Sequence, residues 1–202
     1  MNMRNFDKNL RFGLLLAAGV ASGGWACSSS SSSPATTSPD GSTGASAGTA
    51  QLPPEGGAAV EAWLTTGAYK QWHCESAVHA ARLPSPHGFN RICSNDAIAS
   101  NAAGTTAWPA GSAAVKELYD SATATTPTGY AVYSKKQADS AGGANWYWYE
   151  RLPVGGVVAD GTGDSGPAMS ICVGCHAAAG SDAAHTPSPG GRDEVYTPVP
   201  QI

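Results

Sequence analysis

Apolar residues are distributed along the 202 positions of this chain in three different ways. Phe12 to Val20 form one short, continuous apolar run behind Arg4, Lys8 and Arg11. From Ser28 to about Pro54 large apolar residues almost disappear, and after Glu55 they return with a period. Val60, Trp63 and Leu64 stand at i, i+3 and i+4, which predicts an amphipathic helix opened by Pro53-Pro54-Glu55 and closed near Gly67. Asp96 to Ala103 reads as weakly helical. Trp108-Pro109-Ala110-Gly111 is a turn that feeds a strand over Ala113 to Tyr119. Tyr130 to Tyr133 and Trp146 to Glu150 are aromatic runs separated by a loop containing Gly142-Gly143, the pattern of a long-looped hairpin. In the second run, two-residue alternation puts Trp146 and Trp148 on one face and Tyr147 and Tyr149 on the other. After Pro153 a Gly-rich stretch up to Cys172 carries no element signal, and no segment has the pattern of a parallel βαβ unit.

These patterns divide the chain. Residues 1–26 read as a bacterial secretory signal, because a basic start, a short apolar core and small residues follow in order. Two fates compete at its end: cleavage after Gly24-Trp25-Ala26, or lipid attachment at Cys27 as in a bacterial lipoprotein, which would tether the chain to a membrane. Residues 27–56 are a Ser-, Gly- and Pro-rich flexible linker, too poor in apolar surface to offset the entropy of ordering. Residues 57–202 are then the folded domain, long enough for one core. Export places the protein in the periplasm or cell envelope, where a disulfide is permitted. Cys74 and Cys93 bracket a Pro- and Gly-containing loop, and joining them would contribute about 3 kcal/mol in the chain-entropy account.

Charge narrows the function. A net charge of −4 offers no basic footprint, so nucleic-acid binding has no support. The chemistry concentrates in Cys172-Val173-Gly174-Cys175-His176, a C-x-x-C-H sequence of the kind that attaches a c-type haem. Two thiols three positions apart can form thioethers to the two vinyl groups of one haem, and the histidine that follows is carried under the iron as axial ligand. A zinc site would want two further ligands nearby, and a redox dithiol a βαβ setting; neither is visible. The aromatic strand Trp146 to Tyr149 is either ordinary core or the flat apolar wall a porphyrin needs. For the opposite axial position the exported part of the chain offers Met169, badly placed three residues before Cys172, and His73, His79, His87 and His185 in polar or Pro-rich loops. This predicts an open face on the iron, suited to small-ligand binding or catalysis.

The order of motifs resembles the cytochrome P-460 family, which includes hydroxylamine-oxidising cytochromes and the gas-binding cytochromes c′-beta. The matching pieces are His87-Gly88 with Arg91 and Asn95, Trp108-Pro109-Ala110-Gly111-Ser112 leading into Val115-Lys116-Glu117-Leu118, Gly129-Tyr130, Asn145-Trp146, the haem motif, and Asp193 with Val195-Tyr196. The resemblance implies an α+β fold, mainly antiparallel β-sheet with a few helices, often a homodimer, with one covalently bound haem c near the C-terminus. It implies Cys172 and Cys175 as attachment points, His176 as the iron ligand and Lys116 as the lysine that some members join covalently to the haem. It also implies a carboxylate that accepts protons, for which Asp139 is the one acid between Gly129-Tyr130 and Asn145-Trp146. The activity implied is oxidation of hydroxylamine to nitrous oxide or nitric oxide, with electrons passed to an outside partner. The alternatives are a haem protein that binds nitric oxide or carbon monoxide without turnover, and a simple electron carrier using one of the loop histidines as second ligand.

Overall fold

The computed structural model describes residues 51–180, 190–200 and 202. The signal and most of the linker, with Cys27, lie outside the described residues, as does His185. The described residues belong to the unit Ala45–Ile202.

A sheet organises that unit. Its strands are β1 (His73–Cys74), β2 (His79–Ala80), β3 (Phe89–Ser94), β4 (Ala113–Tyr119), β5 (Gly129–Lys135), β6 (Trp146–Leu152) and β7 (Gly156–Thr162). The spatial order is β1-β3-β4-β5-β6-β7, with β2 also pairing β3, and every pairing is antiparallel. The expected α+β class, mainly antiparallel sheet with a few helices, is what the chain forms. A separate hairpin of β8 (Gly191–Arg192) and β9 (Val195–Tyr196) lies near the C-terminus.

Alternation along the strands builds two cores, one on each face of the sheet. Cys93, Val115, Val132 and Tyr149 oppose one another across β3, β4, β5 and β6. Helix α1 (Gly57–Thr66) covers that face with Val60, Trp63 and Leu64. It ends as its sequence predicts: Gly67 adopts φ 69°, where a side chain would be strained, and its N–H closes on the Leu64 carbonyl. The opposite core collects Ile98, Trp108, Ala114, Trp146, Trp148, Cys172, Val173 and Val195. Trp146 and Trp148 thus part from Tyr147 and Tyr149 as a period of two requires.

Cys74 and Cys93 are joined in a disulfide, and their strands pair them directly. The weakly helical stretch after Asn95 reduces to one turn, α2 (Asp96–Ala99), whose Ile98 N–H is capped by the Asn95 side chain. One expectation is corrected. The stretch after Pro153 contains the edge strand β7, paired to β6 with a bulge beside Glu150 and Arg151. Among its seven residues only Ala159 is buried, so its extended form comes from pairing and left little hydrophobic pattern to read.

Candidate functional site

Sheet register gathers the site. Ile92, Lys116, Ala131, Glu150 and Ala159 stand opposite one another in a row from β3 to β7. Directly opposed residues project to the same side of a sheet, so this row shares a face with the neighbouring row of Ala114, Tyr133 and Trp148. Ala131 is a methyl group between two long polar side chains, and above it the structure leaves a cavity of about 340 Å³. That is within the size range of small-molecule sites.

The C-x-x-C-H segment forms the facing wall. Ala168–Val173 is wound as a π-helix, Gly174–His176 continues as one α-helical turn and Ala177–Ala179 as 3₁₀. A π-helical turn of this kind is frequent at functional sites. Here Cys172, Cys175 and His176 all line the cavity, and both thiols are free. Burial pushes the Cys172 thiol up to about 12, so it is a neutral thiol at ordinary pH. The imidazole of His176 is brought down to about 4, by burial first, against the opposing pull of the Glu194 carbonyl. It is therefore neutral, and its Nδ1–H donates to the Glu194 backbone oxygen at 2.6 Å, which leaves the lone pair on Nε2. Trp148 packs edge-on against this ring, centroids 4.7 Å apart, with Tyr196 at 5.5 Å and Tyr133 at 5.9 Å. Tyr196 also donates its hydroxyl to the Cys175 carbonyl, tying β9 to the motif.

The polar part of the wall comes from β4, β6 and the loop before β3. The Lys116 ammonium lies 3.4 Å from the Ser85 hydroxyl. Burial pulls it below its ordinary value, against the stabilising charges of Glu75 and Glu150. Glu150 and His87 form a buried pair, Oε1 to Nε2 at 3.0 Å, with side chains 6% and 14% exposed. The other ring nitrogen of His87, Nδ1, is buried without a hydrogen-bond partner.

The structure thus brings Lys116, Cys172, Cys175 and His176 to one cavity, although β4 is far from the motif in sequence. Asp139 is not brought there. It is exposed in the loop between β5 and β6, where its carboxylate accepts from the Ala141 N–H and its carbonyl from the Asn145 amide. The carboxylate that does line the cavity is Glu150. Two-residue alternation from Trp148 was the available signal, since it puts Glu150 on the same face. His87, in the loop before β3, also lines the cavity. His73 and His79 instead bind Asp96 and Glu75, outside the cavity, and Met169 is half exposed. No protein-family model matches this chain, and no curated protein sequence is significantly similar to it.

Proposed function

We propose that the cavity holds one haem c, attached through Cys172 and Cys175 with His176 as the iron's protein ligand, and that the chain is an exported cytochrome of the P-460 type that oxidises hydroxylamine. The observation that carries this reading is the convergence of two free thiols, a neutral imidazole and Lys116 on one largely apolar cavity. The donor set suits the group: thiols for thioethers, an imidazole whose tautomer is fixed by a carbonyl, and the Trp148 and Tyr133 rings as apolar walls. When bound, the haem supplies an iron that can coordinate a small nitrogenous ligand and take its electrons.

The remaining chemistry belongs to the chain. Glu150 is the proton acceptor, oriented by its bond to His87, and proton removal is required because oxidising hydroxylamine releases protons with electrons. Lys116, held toward its neutral form by burial, is the amine available for a covalent bond to the haem. Electrons leave to an outside acceptor in the periplasm or cell envelope. A carboxylate in the cavity wall, Glu150, supports the oxidase reading over gas binding without turnover.

One observation favours a second reading. His87 lines the same cavity as His176, and its Nδ1 has no partner, so it could close the iron's second axial position and make the protein an electron carrier. The test is to make the full chain in a host that matures c-type haem, measure haem retained after denaturation, and follow acceptor reduction on adding hydroxylamine. A high-spin haem and hydroxylamine-dependent reduction support the proposal. A low-spin spectrum that His87→Ala abolishes supports the carrier, and no covalent haem overturns both.

A further inference from the structure

The carbonyl that holds His176 sits in an improbable place. Arg192 and Val195 pair as the last residues of the β8–β9 hairpin, so Asp193 and Glu194 are its two turn residues, with φ of 50° and 68°. Positive φ at both positions is a type I′ turn, ordinarily made by Asn-Gly or Gly-Gly. Here two residues with side chains adopt it, and both are fully buried. The Glu194 carboxylate has no hydrogen-bond partner among the described residues. A strained turn carrying two buried acids persists only where its surroundings over-determine it.

Those surroundings are a buried ion pair and its attachments. The Lys135 ammonium, at the end of β5, donates to Asp193 Oδ2 at 2.6 Å and to the Trp108 carbonyl at 2.8 Å, and both partners of the pair are fully buried. The Trp108 N–H donates to the same Asp193 oxygen at 2.7 Å, and the Ser140 hydroxyl donates to the other. Ser140 accepts in turn from the Trp146 indole at 2.7 Å. Arg192 lies 3.6 Å over the Trp108 ring and donates to the Thr106 carbonyl, while Trp108 returns its indole N–H to the Arg192 carbonyl. The Glu194 N–H closes on Gly180, just past the haem motif. Each attachment fixes the turn, and the turn reaches the cavity through the Glu194 carbonyl on His176 Nδ1.

We propose that Lys135 and Asp193 are positioning residues that act on the iron through this turn: by locking it left-handed they hold the Glu194 carbonyl on His176 Nδ1–H, and so set the orientation and electron donation of the axial imidazole. The inference rests on the haem reading above. A strong bond at Nδ1 makes the imidazole a better donor through Nε2, which favours ferric iron and lowers the reduction potential. Freed of Asp193, the turn relaxes toward negative φ, the carbonyl swings from the ring and the donation weakens.

The test uses the full chain with haem matured in the cell, comparing the parent with Asp193→Asn, which keeps shape and removes the charge. Because Asp193→Asn leaves Lys135 buried without its counter-ion and so destabilises the fold, a second variant, Lys135→Met with Asp193→Ala, leaves no unpaired charge and removes the bonds that hold position 193 at positive φ. The expected result in either soluble variant is full haem content, a lower iron–histidine stretching frequency in the ferrous resonance Raman spectrum and a higher reduction potential. Unchanged stretch and potential in variants that carry haem overturn the inference and leave the haem reading standing, even where thermal stability has fallen. Absence of covalent haem from the parent overturns the haem reading, and this inference with it.

Discussion

Lys116 and Glu150 face the same cavity from two strands apart, with only the methyl group of Ala131 between them in the register of β4, β5 and β6. A larger side chain at this position would occupy the space instead of a cofactor. Ala131→Phe is therefore expected to fold, since it fills an existing cavity rather than a packed core, and to lose most of its haem incorporation. Haem per mole of purified protein checks this, with far-ultraviolet circular dichroism as the control for folding.

Burial draws the Lys116 amine below its ordinary value beside a cavity that also holds both thiols. A covalent bond from its nitrogen to the haem would break ring conjugation and shift the visible bands. The ferrous protein is expected to show a strongly red-shifted Soret band, and Lys116→Ala to return that band to the position of an ordinary c-type haem. Lys116→Arg should do the same, because a guanidinium keeps the charge but does not offer a neutral amine. A parent spectrum already at the ordinary position would remove the cross-link.

Glu150, not Asp139, is expected to govern turnover. Glu150→Gln keeps the hydrogen-bond geometry to His87 but takes away the base, which should cost about 10²- to 10⁴-fold in the hydroxylamine-dependent rate. Asp139→Asn should change it less than twofold, since its carboxylate is spent on a loop N–H in solvent. Haem content should be unaffected in both, and steady-state kinetics with a fixed acceptor separates them. Equal losses in the two variants would return the proton-accepting role to the loop.

What could be read without coordinates follows from which signals are local. Helix α1 was legible from its helical spacing, strands β4, β5 and β6 from short apolar and aromatic runs bounded by turns, and the Cys74–Cys93 pairing from the Pro- and Gly-containing loop the two cysteines bracket in a chain read as exported. Strand β7 was not, because only one of its residues is buried and its pairing with β6 is a tertiary event. The polar residues of the site were harder still. His87, Asp193 and Glu194 look like surface residues in any window of sequence, and only the fold buries them. Glu150 lies between these cases: its parity with Trp148 was visible, but a charged residue at the end of an aromatic strand reads more naturally as the point where the strand meets solvent.

Glu117 gives the fold its pH dependence on the face away from the cavity. Its buried carboxylate accepts from Tyr69 at 2.6 Å, Tyr119 at 2.7 Å and Arg91 at 2.7 Å. Burial alone would raise the carboxyl, but the bonds from Arg91, Tyr69 and Tyr119 outweigh it and hold the group below its ordinary value. A carboxyl lowered in the folded state binds its proton less readily there than in the unfolded chain. It therefore contributes stability that is complete above the unfolded value, near pH 4.3, and is lost as pH falls through the folded one. Urea denaturation should show the parent losing stability as the pH falls below about 5. Glu117→Gln should be weaker by about 2 kcal/mol at pH 7, the scale of hydrogen bonds to a charged group, with a flatter curve over the acid range. The two curves should converge at low pH, because the parent then carries a neutral carboxyl in the same place. A difference that stayed constant from pH 7 to pH 3 would mean that the loss came from packing alone and that the ionised form of Glu117 contributes nothing.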